Sequence, residues 1–276
     1  MTRHLPTCFL ATALALVALP AQADFALSGH SAIDIFGTPL SSQERIWVSG
    51  TAVRRDFSDR GRAYTQLFDL GTRQVMVVDH FTRTAEVHDL AALDAATETT
   101  TPAASLKLRL EPTGNSRRLQ NWTCREHVLE ASVPTRLGAE ETLFHLKGRI
   151  WFARDVPEQA AVRPFVDAAA RPGFFLAVPA VARVAPAYSR VMSEMLRRLA
   201  PEGLPCGGEV TGSHEGAGPM AVLARKMPSR ISVNFAQFSS EPIKPETFAL
   251  PAGYRKVTAR LPAPAAPGMP PAVAPR

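Results

Sequence analysis

Cysteine, long apolar runs and clustered charge are scarce in this sequence, and each scarcity closes off a class of function. Only three of the 276 residues are cysteine. Cys8 precedes the first apolar run, whereas a lipoprotein acylation cysteine follows such a run, so Cys8 reads as incidental. Beyond that first run, no apolar stretch approaches the ~20 residues that span a bilayer, so the remainder reads as soluble. No twin-arginine pair stands at the start, which favours export of an unfolded chain and disfavours a preloaded cytoplasmic cofactor. The formal net charge is +6, but there is no run of five or six basic residues and no basic stretch interleaved with aromatics. Nucleic acid is therefore a poor match, while a mild attraction to anionic lipid head groups remains.

Catalytic patterns are also missing. Among His30, His80, His88, His127, His145 and His214, no two have the i, i+4 spacing of a helical metal pair. His80 and His88 could meet across a hairpin, yet a zinc site would need third and fourth ligands. The serines lack a G-x-S-x-G elbow. In Gly212-Ser213-His214-Glu215-Gly216 the three reactive types are sequence neighbours, whereas a triad needs spatial neighbours, so this reads as a polar loop. Gly207-Gly208 reads as a turn because no G-K-[ST] follows. No carboxylate pair suits glycoside hydrolysis. Asn121-Trp122-Thr123 fits a glycosylation sequon that bacterial-type export makes a coincidence. The expectation is a protein that is not an enzyme and uses no metal or cofactor. An undetected hydrolase is the weakest alternative.

What is present begins at the N-terminus. Arg3 and His4 precede the apolar run Phe9 to Leu19, and Pro20-Ala21-Gln22-Ala23 supplies a helix breaker and an A-x-A cleavage site. That is the grammar of a secretory signal peptide, residues 1–23, cleaved after Ala23 to leave Asp24 as the first residue of a periplasmic protein. In an oxidising compartment Cys124 and Cys206 invite one disulfide, and two buried thiols are the alternative. Closing a loop of about 80 residues would contribute roughly 4 kcal/mol.

From Phe25 to about His88, short β-type segments recur about every ten residues. They are separated by Ser49-Gly50, Asp59-Arg60-Gly61 and Leu70-Gly71-Thr72, the pattern of an antiparallel meander. Val75-Met76-Val77-Val78 is apolar on both faces, which predicts a central strand covered on both sides. Asp89 to Pro102 reads as a short helix and a Thr-rich connector. Strands are expected at Leu106 to Leu110, Arg118 to Ala131 and Leu143 to Ala153, with turns at Pro112-Thr113-Gly114-Asn115 and Pro134 to Gly138. Pro157 could start a helix that Pro164 interrupts. Three further strands are expected at Glu209 to Gly212, Met220 to Arg225 and Arg230 to Phe238. In the last of these Ile231, Val233 and Phe235 alternate with Ser232, Asn234 and Ala236. Six of the last sixteen residues are proline, so the tail reads as disordered.

The clearest helix is Pro186 to Leu199. Tyr188, Val191, Met192, Met195, Leu196 and Leu199 fall on one face, and polar residues on the other. That face either packs on a sheet or lines a cavity or membrane surface, and Met192 and Met195 suit an adaptable apolar lining. Phe174-Phe175-Leu176 is double in the same way, a core plug or a lid over an apolar pocket. The arginines Arg54, Arg55, Arg60 and Arg62 read as a solvated sheet face or as partner contacts.

Four passages together resemble the LolA/LolB-like periplasmic superfamily, and within it a family of unknown function. They are Trp47-Val48-Ser49-Gly50 leading into Val53-Arg54-Arg55-Asp56; Gln74 to Asp79 followed by Ala85-Glu86-Val87-His88; Gly148 to Pro157, similar to "G-x-x-W-x-A-x-D-x-P"; and Phe248 to Tyr254, similar to "F-x-x-P-x-G-Y". The resemblance implies a mainly β (α+β) fold, a curved antiparallel sheet or half-open β-barrel with helices on the concave face. Carriers of this fold hold acyl chains between sheet and helices. The strands here begin at once, without a leading helix, which sets the chain apart from those carriers.

Two readings follow for a single domain over 24–258, ahead of a Pro-rich tail over 259–276. The first is an exported, non-enzymatic periplasmic protein that binds a lipid or hydrophobic ligand in the sheet–helix cavity. Its expected lining is Phe174, Phe175, Leu176, Tyr188, Met192 and Met195. The second is an envelope protein-interaction or sensing module with a filled core and no ligand.

Overall fold

The regularly spaced turn signals of the first third of the chain become tight hairpins. In a computed structural model, whose described residues are 24–35, 38–100, 106–137, 139–177 and 186–259, the meander comprises six strands. These are β1 (Phe25–Ile35), β2 (Thr38–Ser49), β3 (Ala52–Asp59), β4 (Arg62–Asp69), β5 (Gln74–Asp79) and β6 (Thr84–Asp89). Asp69 and Asp79 each accept two backbone N–H bonds through Oδ1, from Gly71 and Thr72 and from Phe81 and Thr82. Such side-chain-to-backbone bonds fix a turn locally. Asp89 does the same for Ala91 and Ala92 and so caps α1 (Leu90–Thr100).

Three long strands follow, β7 (Lys107–Leu119), β8 (Trp122–Leu137) and β9 (Glu140–Ala153), then α2 (Gln159–Ala169), a 3₁₀ turn at Phe174–Ala177 and α3 (Pro186–Leu199). The chain finishes with β10 (Leu204–Glu215), α4 (Pro219–Lys226), β11 (Ser229–Ser239) and β12 (Arg255–Thr258). All twelve strands join one sheet in the order β12-β6-β5-β4-β3-β2-β1-β11-β10-β9-β8-β7. Among the described residues only the β12–β6 pair is parallel. The sheet is curved and unclosed, a half-open barrel with helices.

A disulfide marks a point of strong curvature. Cys124 on β8 and Cys206 on β10 are bonded with Cα atoms 6.2 Å apart, although β9 lies between their strands. Strands two places apart in a flat sheet are separated by about 9.6 Å, so the sheet folds strongly on itself here. The ladder carries a bulge between Pro205 and Gly207 at the same point. The tip of the β7–β8 hairpin reaches β11 as well, where Gln120 accepts the Phe238 amide. The main core fills the part of the concavity under β2 to β5: Val48, Val53, Phe57, Phe68 and Val75 from the sheet meet Leu93 of α1, Val162 and Ala169 of α2, and Phe174 and Leu176. A smaller cluster of Leu67, Val78, Ala85 and Met76 is covered by Leu250 and Tyr254 on the other side, so the Val75–Val78 segment is covered on both faces.

Several expectations are corrected. Met220 to Arg225 is not a strand but part of α4, where Pro219 opens the helix, the Glu140 carboxylate accepts the Met220 and Ala221 amides, and Ala221 and Ala224 are buried at helical spacing. Pro112-Thr113-Gly114-Asn115 is not the hairpin turn but an irregularity within β7, and the reversal comes at Gln120, whose φ is 52°. Gly207-Gly208 and Gly212 to Glu215 lie in β10 rather than in a turn and a loop. Helix α2 runs through Pro164. The ring points to solvent and the helix is held by the packing of Val162, Phe165, Val166 and Ala169. The residues given to the leader (1–23) and nearly all of the Pro-rich tail (260–276) lie outside the described residues, as do Val178 and Pro179.

Candidate functional site

Alternation along three adjacent strands builds an apolar floor. Val233 pairs with Gly208 and Ile231 with Val210, and Gly208 pairs with Ile150. Side chains at these positions share one face, and that face carries Ile231, Val233 and Phe235 of β11, Val210 of β10, and Ile150 and Phe152 of β9. Gly207 and Gly208 contribute no side chain to it. At Gly207 the backbone is left-handed, φ 146°, and a Cβ there would stand 2.6 Å from the Val233 carbonyl, so glycine is required by the bulge. Helices α2 and α3 form the opposite wall with Val166, Ala170 and Leu196, joined by Phe175.

The half-open cleft between floor and helices has a volume of about 880 Å³, within the 300–1,000 Å³ range typical of small-molecule sites. Its charged lining comes from the helices: Arg163, bonded to Asp167 at 2.9 and 3.0 Å, and Arg197, paired with Glu194. Arg163, Asp167 and Arg197 are all exposed, so charge stands at the mouth and hydrocarbon lines the interior. A second groove of about 760 Å³ has Lys147, Arg149, Glu209, Arg230 and Asp34 in its lining, so charge runs through it rather than standing at one side.

The other half of the concavity is occupied by polar side chains of the protein itself. Glu44, Arg55 and Gln66 lie side by side on β2, β3 and β4, with Arg55 paired to Glu44 at 2.9 and 3.2 Å. Ser31 donates to Glu44 at 3.0 Å, Arg55 donates to Gln66 at 3.2 Å, and Gln66 donates to the Ala177 carbonyl at 3.0 Å. Each buried polar group is thereby satisfied. Arg54, the next residue, faces the other way and pairs with Asp56 at 2.9 Å. Of the four arginines expected on one solvated face, only Arg60 and Arg62 are exposed. Strand alternation separates Arg54 from Arg55.

Phe174 and Leu176 are buried in the main core, with Phe174 stacked on Phe68 at 5.0 Å. Phe175 is half-buried and lines the cavity. Met195 is half-buried and packs against the clusters around Leu146 and Leu129 under α3, and Met192 is half-buried on the same helix. The Tyr188 side chain lies outside the described residues. Sequence reading missed the floor, although the Ile231-Val233-Phe235 alternation and the Gly207-Gly208 pair were its visible signals.

Ser213 and His214 are successive strand residues and point to opposite faces. His80 and His88 are not brought together: His80 bonds Thr65 and Tyr254 at one end of the β5–β6 hairpin, while His88 pairs with Val75 at the other. No group of three metal-type side chains forms among the described residues. No helix among them is long and apolar enough to cross a membrane.

No protein-family model matches the sequence, and no curated protein does. Among solved structures, the chain is similar to a domain described as an outer membrane lipoprotein-sorting protein from Vibrio parahaemolyticus, with 6% identity over 83% of this chain and 90% of that one, TM-score 0.28. It is similar to a LolA superfamily protein from Nitrosomonas europaea, with 7% identity over 84% and 91%, TM-score 0.28. A DUF1329 family protein from Desulfovibrio piger aligns with 7% identity over 83% and 91%, TM-score 0.28. Superpositions this loose fix neither topology nor activity, and the half-barrel description rests on the strand order and ladders above.

Proposed function

We propose that this chain is an exported, non-enzymatic periplasmic protein that binds a lipid or another hydrophobic ligand between the sheet and helices α2 and α3. The observation that carries this reading is the cavity of about 880 Å³, with an apolar floor and charged side chains confined to its helical mouth. An acyl chain needs only a dry, elongated apolar surface. Each methylene removed from water contributes about 0.8 kcal/mol, offset by the ordering of ligand and protein. Arg163 and Arg197 at the mouth suit an amphiphile whose polar end stays in water. The leader over 1–23 and the oxidised Cys124–Cys206 pair both fit export to an oxidising compartment.

The test is uptake of a fluorescent fatty acid and a fluorescent phospholipid by delipidated protein, with native mass spectrometry of the protein as purified. Saturable binding that is lost in Val233→Arg, a charge placed in the floor, is the expected result. No uptake, and native mass spectra free of lipid, would overturn the proposal.

A second reading, an envelope protein-interaction or sensing module with a filled core, is favoured by one observation. Phe174, Leu176 and the Glu44–Arg55–Gln66 group pack the β2–β4 half of the concavity shut. That reading gains if the unaltered protein and Val233→Arg take up lipid alike.

A further inference from the structure

Exposed hydrocarbon is distributed unevenly over this protein. Five large apolar side chains are exposed among the described residues: Phe81, 75%; Met220, 48%; Val222, 43%; Leu223, 50%; and Met227, 36%. Four belong to α4 and the residue after it. Phe81 belongs to the β5–β6 turn.

Strand register places these two sites at the same end of the sheet. Asp59 pairs with Arg62 and Tyr64 with Asp79, so the β3–β4 turn and the β5–β6 turn share one edge. Asp56 pairs with Arg45, and beyond that level β2, β1 and β11 run on by about four residues, roughly 13 Å, to where Ile35 pairs with Thr38 and Asp34 with Arg230 at the start of β11, where α4 ends. Five inter-strand steps separate β5 from β11, about 24 Å along the sheet.

Cations accompany the hydrocarbon. Arg60, Arg62, Arg83, Arg225, Lys226 and Arg230 are all exposed at this end. The Arg62 guanidinium lies over the Phe81 ring at 4.8 Å. Acids share this end but are outnumbered once the exposed Arg136 and Arg255 are counted with the cations: Asp34 and Asp59 are not exposed, Asp79 holds the Phe81 and Thr82 amides, Glu140 holds the first amides of α4, and Glu215 bonds His145 at 2.8 Å. Glu141 is the exposed acid that remains beside α4.

We propose that this end of the half-barrel docks on an anionic lipid bilayer. Basic side chains interleaved with Leu, Met, Val and Phe are the composition of an interfacial surface, in which apolar tips enter the head-group boundary and cations meet lipid phosphates. The spacing favours a bilayer over a folded partner. The two apolar sites lie on separate elements about 24 Å apart across the strands and staggered by roughly 13 Å along them, and a fluid surface meets both without a matching contour. Because α4 connects β10 to β11, docking would set the strands that carry Val210, Val233 and Phe235 end-on to the membrane. The surface does not depend on whether the cavity is filled.

The test is co-sedimentation of the purified protein with vesicles of phosphatidylcholine and phosphatidylglycerol in 3:1 ratio, against pure phosphatidylcholine, at low and high salt. Binding to the anionic vesicles that weakens in high salt is expected. Leu223→Asp with Met227→Asp at one site, and Phe81→Ser at the other, should each weaken it by about tenfold with unchanged thermal melts, since these side chains face solvent. The cavity variant Val233→Arg should bind vesicles as the unaltered protein does, which separates failure of docking from failure of ligand binding. Absence of anionic-vesicle binding, or binding indifferent to both surface variants, overturns the proposal. A response to the α4 variant alone overturns the shared surface. A dimer in light scattering that Leu223→Asp dissociates would assign the face to a second copy instead.

Discussion

His80 Nδ1 lies 2.7 Å from the Tyr254 hydroxyl, and the order of donors along the chain of bonds beyond it is fixed by its far end. The Asp56 carboxylate can only accept, so Thr65, 2.6 Å from Asp56 Oδ1, must donate to it. The Thr65 oxygen then accepts from His80 Nε2 at 2.9 Å. A neutral His80 is left with Nδ1 as acceptor, and Tyr254 donates to it. Asp56 is also held by Arg54, which donates to the Thr247 carbonyl at 3.0 Å. The segment before β12 is thus tied to the sheet at two points, above the apolar patch of Leu67, Val78 and Ala85.

This arrangement makes Tyr254→Phe informative. It removes one hydroxyl while keeping the ring that packs on the patch, and should cost about 1 kcal/mol, read as a lower urea midpoint. Leu250→Ala removes hydrocarbon from the same patch and should cost more, roughly 2 kcal/mol. Hydrogen exchange in residues 250–258 should accelerate in both variants before exchange elsewhere does. Uniform acceleration would show that the segment is not a separable cover.

The Cys124–Cys206 bond spans 82 residues of sequence and clamps β8 to β10 across β9. The loop it closes gives an expected stabilisation of roughly 4 kcal/mol. Cys124→Ala with Cys206→Ala should therefore lower the unfolding free energy by several kcal/mol in urea titrations. Thiol labelling of the native protein should find neither cysteine reactive until reductant is added. Loss of the clamp at this bend should also loosen the cavity floor next to it, so ligand uptake should fall along with stability.

The parts of this fold that were legible are those written in local pattern. The hairpins announce themselves at Asp59-Arg60-Gly61 and Leu70-Gly71-Thr72, and α3 follows from a 3.6-residue apolar stripe with the same ends, Pro186 and Leu199. What misled was chemistry whose meaning is set at a distance. The Gly207-Gly208 pair looks like a turn until β9 and β11 flank it. Met220 to Arg225 has strand-like content, but the Glu140 carboxylate, 80 residues away in sequence, caps it as a helix. The cavity was expected from mid-chain helices, and its floor comes from β9, β10 and β11, which no local pattern brings together. Arg55 reads in sequence as one of a set of surface arginines, yet period-two alternation turns it inward onto Glu44.

That inward pair yields a two-variant prediction. Arg55→Met leaves the Glu44 carboxylate, 10% exposed, without its cation and should destabilise by about 3 kcal/mol. Arg55→Met combined with Glu44→Met removes both charges and should recover most of that loss, because hydrocarbon of similar size replaces a pair whose desolvation is costly. Chemical denaturation of the unaltered protein, both single variants and the double variant completes the cycle. Additive losses would show that the two side chains do not act as a pair. Near-neutral single variants would show that water reaches the site freely.

The pH dependence of stability should carry the signature of His88. This side chain is buried, its Nδ1 has no partner, and its Nε2 stands 3.6 Å from Glu86. Burial pushes its pKa below the ordinary imidazole value, and the nearby Glu86 carboxylate only partly opposes that. Burial pushes His214 down as well. A depressed histidine pKa means that, as pH falls below about 6.5, the unfolded chain takes up protons before the folded one does. Stability from these groups is therefore complete above that pH and is lost on acidification, until the folded imidazole is itself protonated. Each proton taken up preferentially by the unfolded chain contributes a slope of at most about 1.4 kcal/mol per pH unit. Urea titrations from pH 7.5 to about 5 should show unfolding free energy falling across that window. His88→Gln, which cannot titrate, should flatten the fall, and adding His214→Gln should flatten it further. An unchanged slope in the double variant would place the acid sensitivity in the carboxylates instead, where Glu126, held low chiefly by its bonds from Asn115 and Thr113, is the first residue to replace.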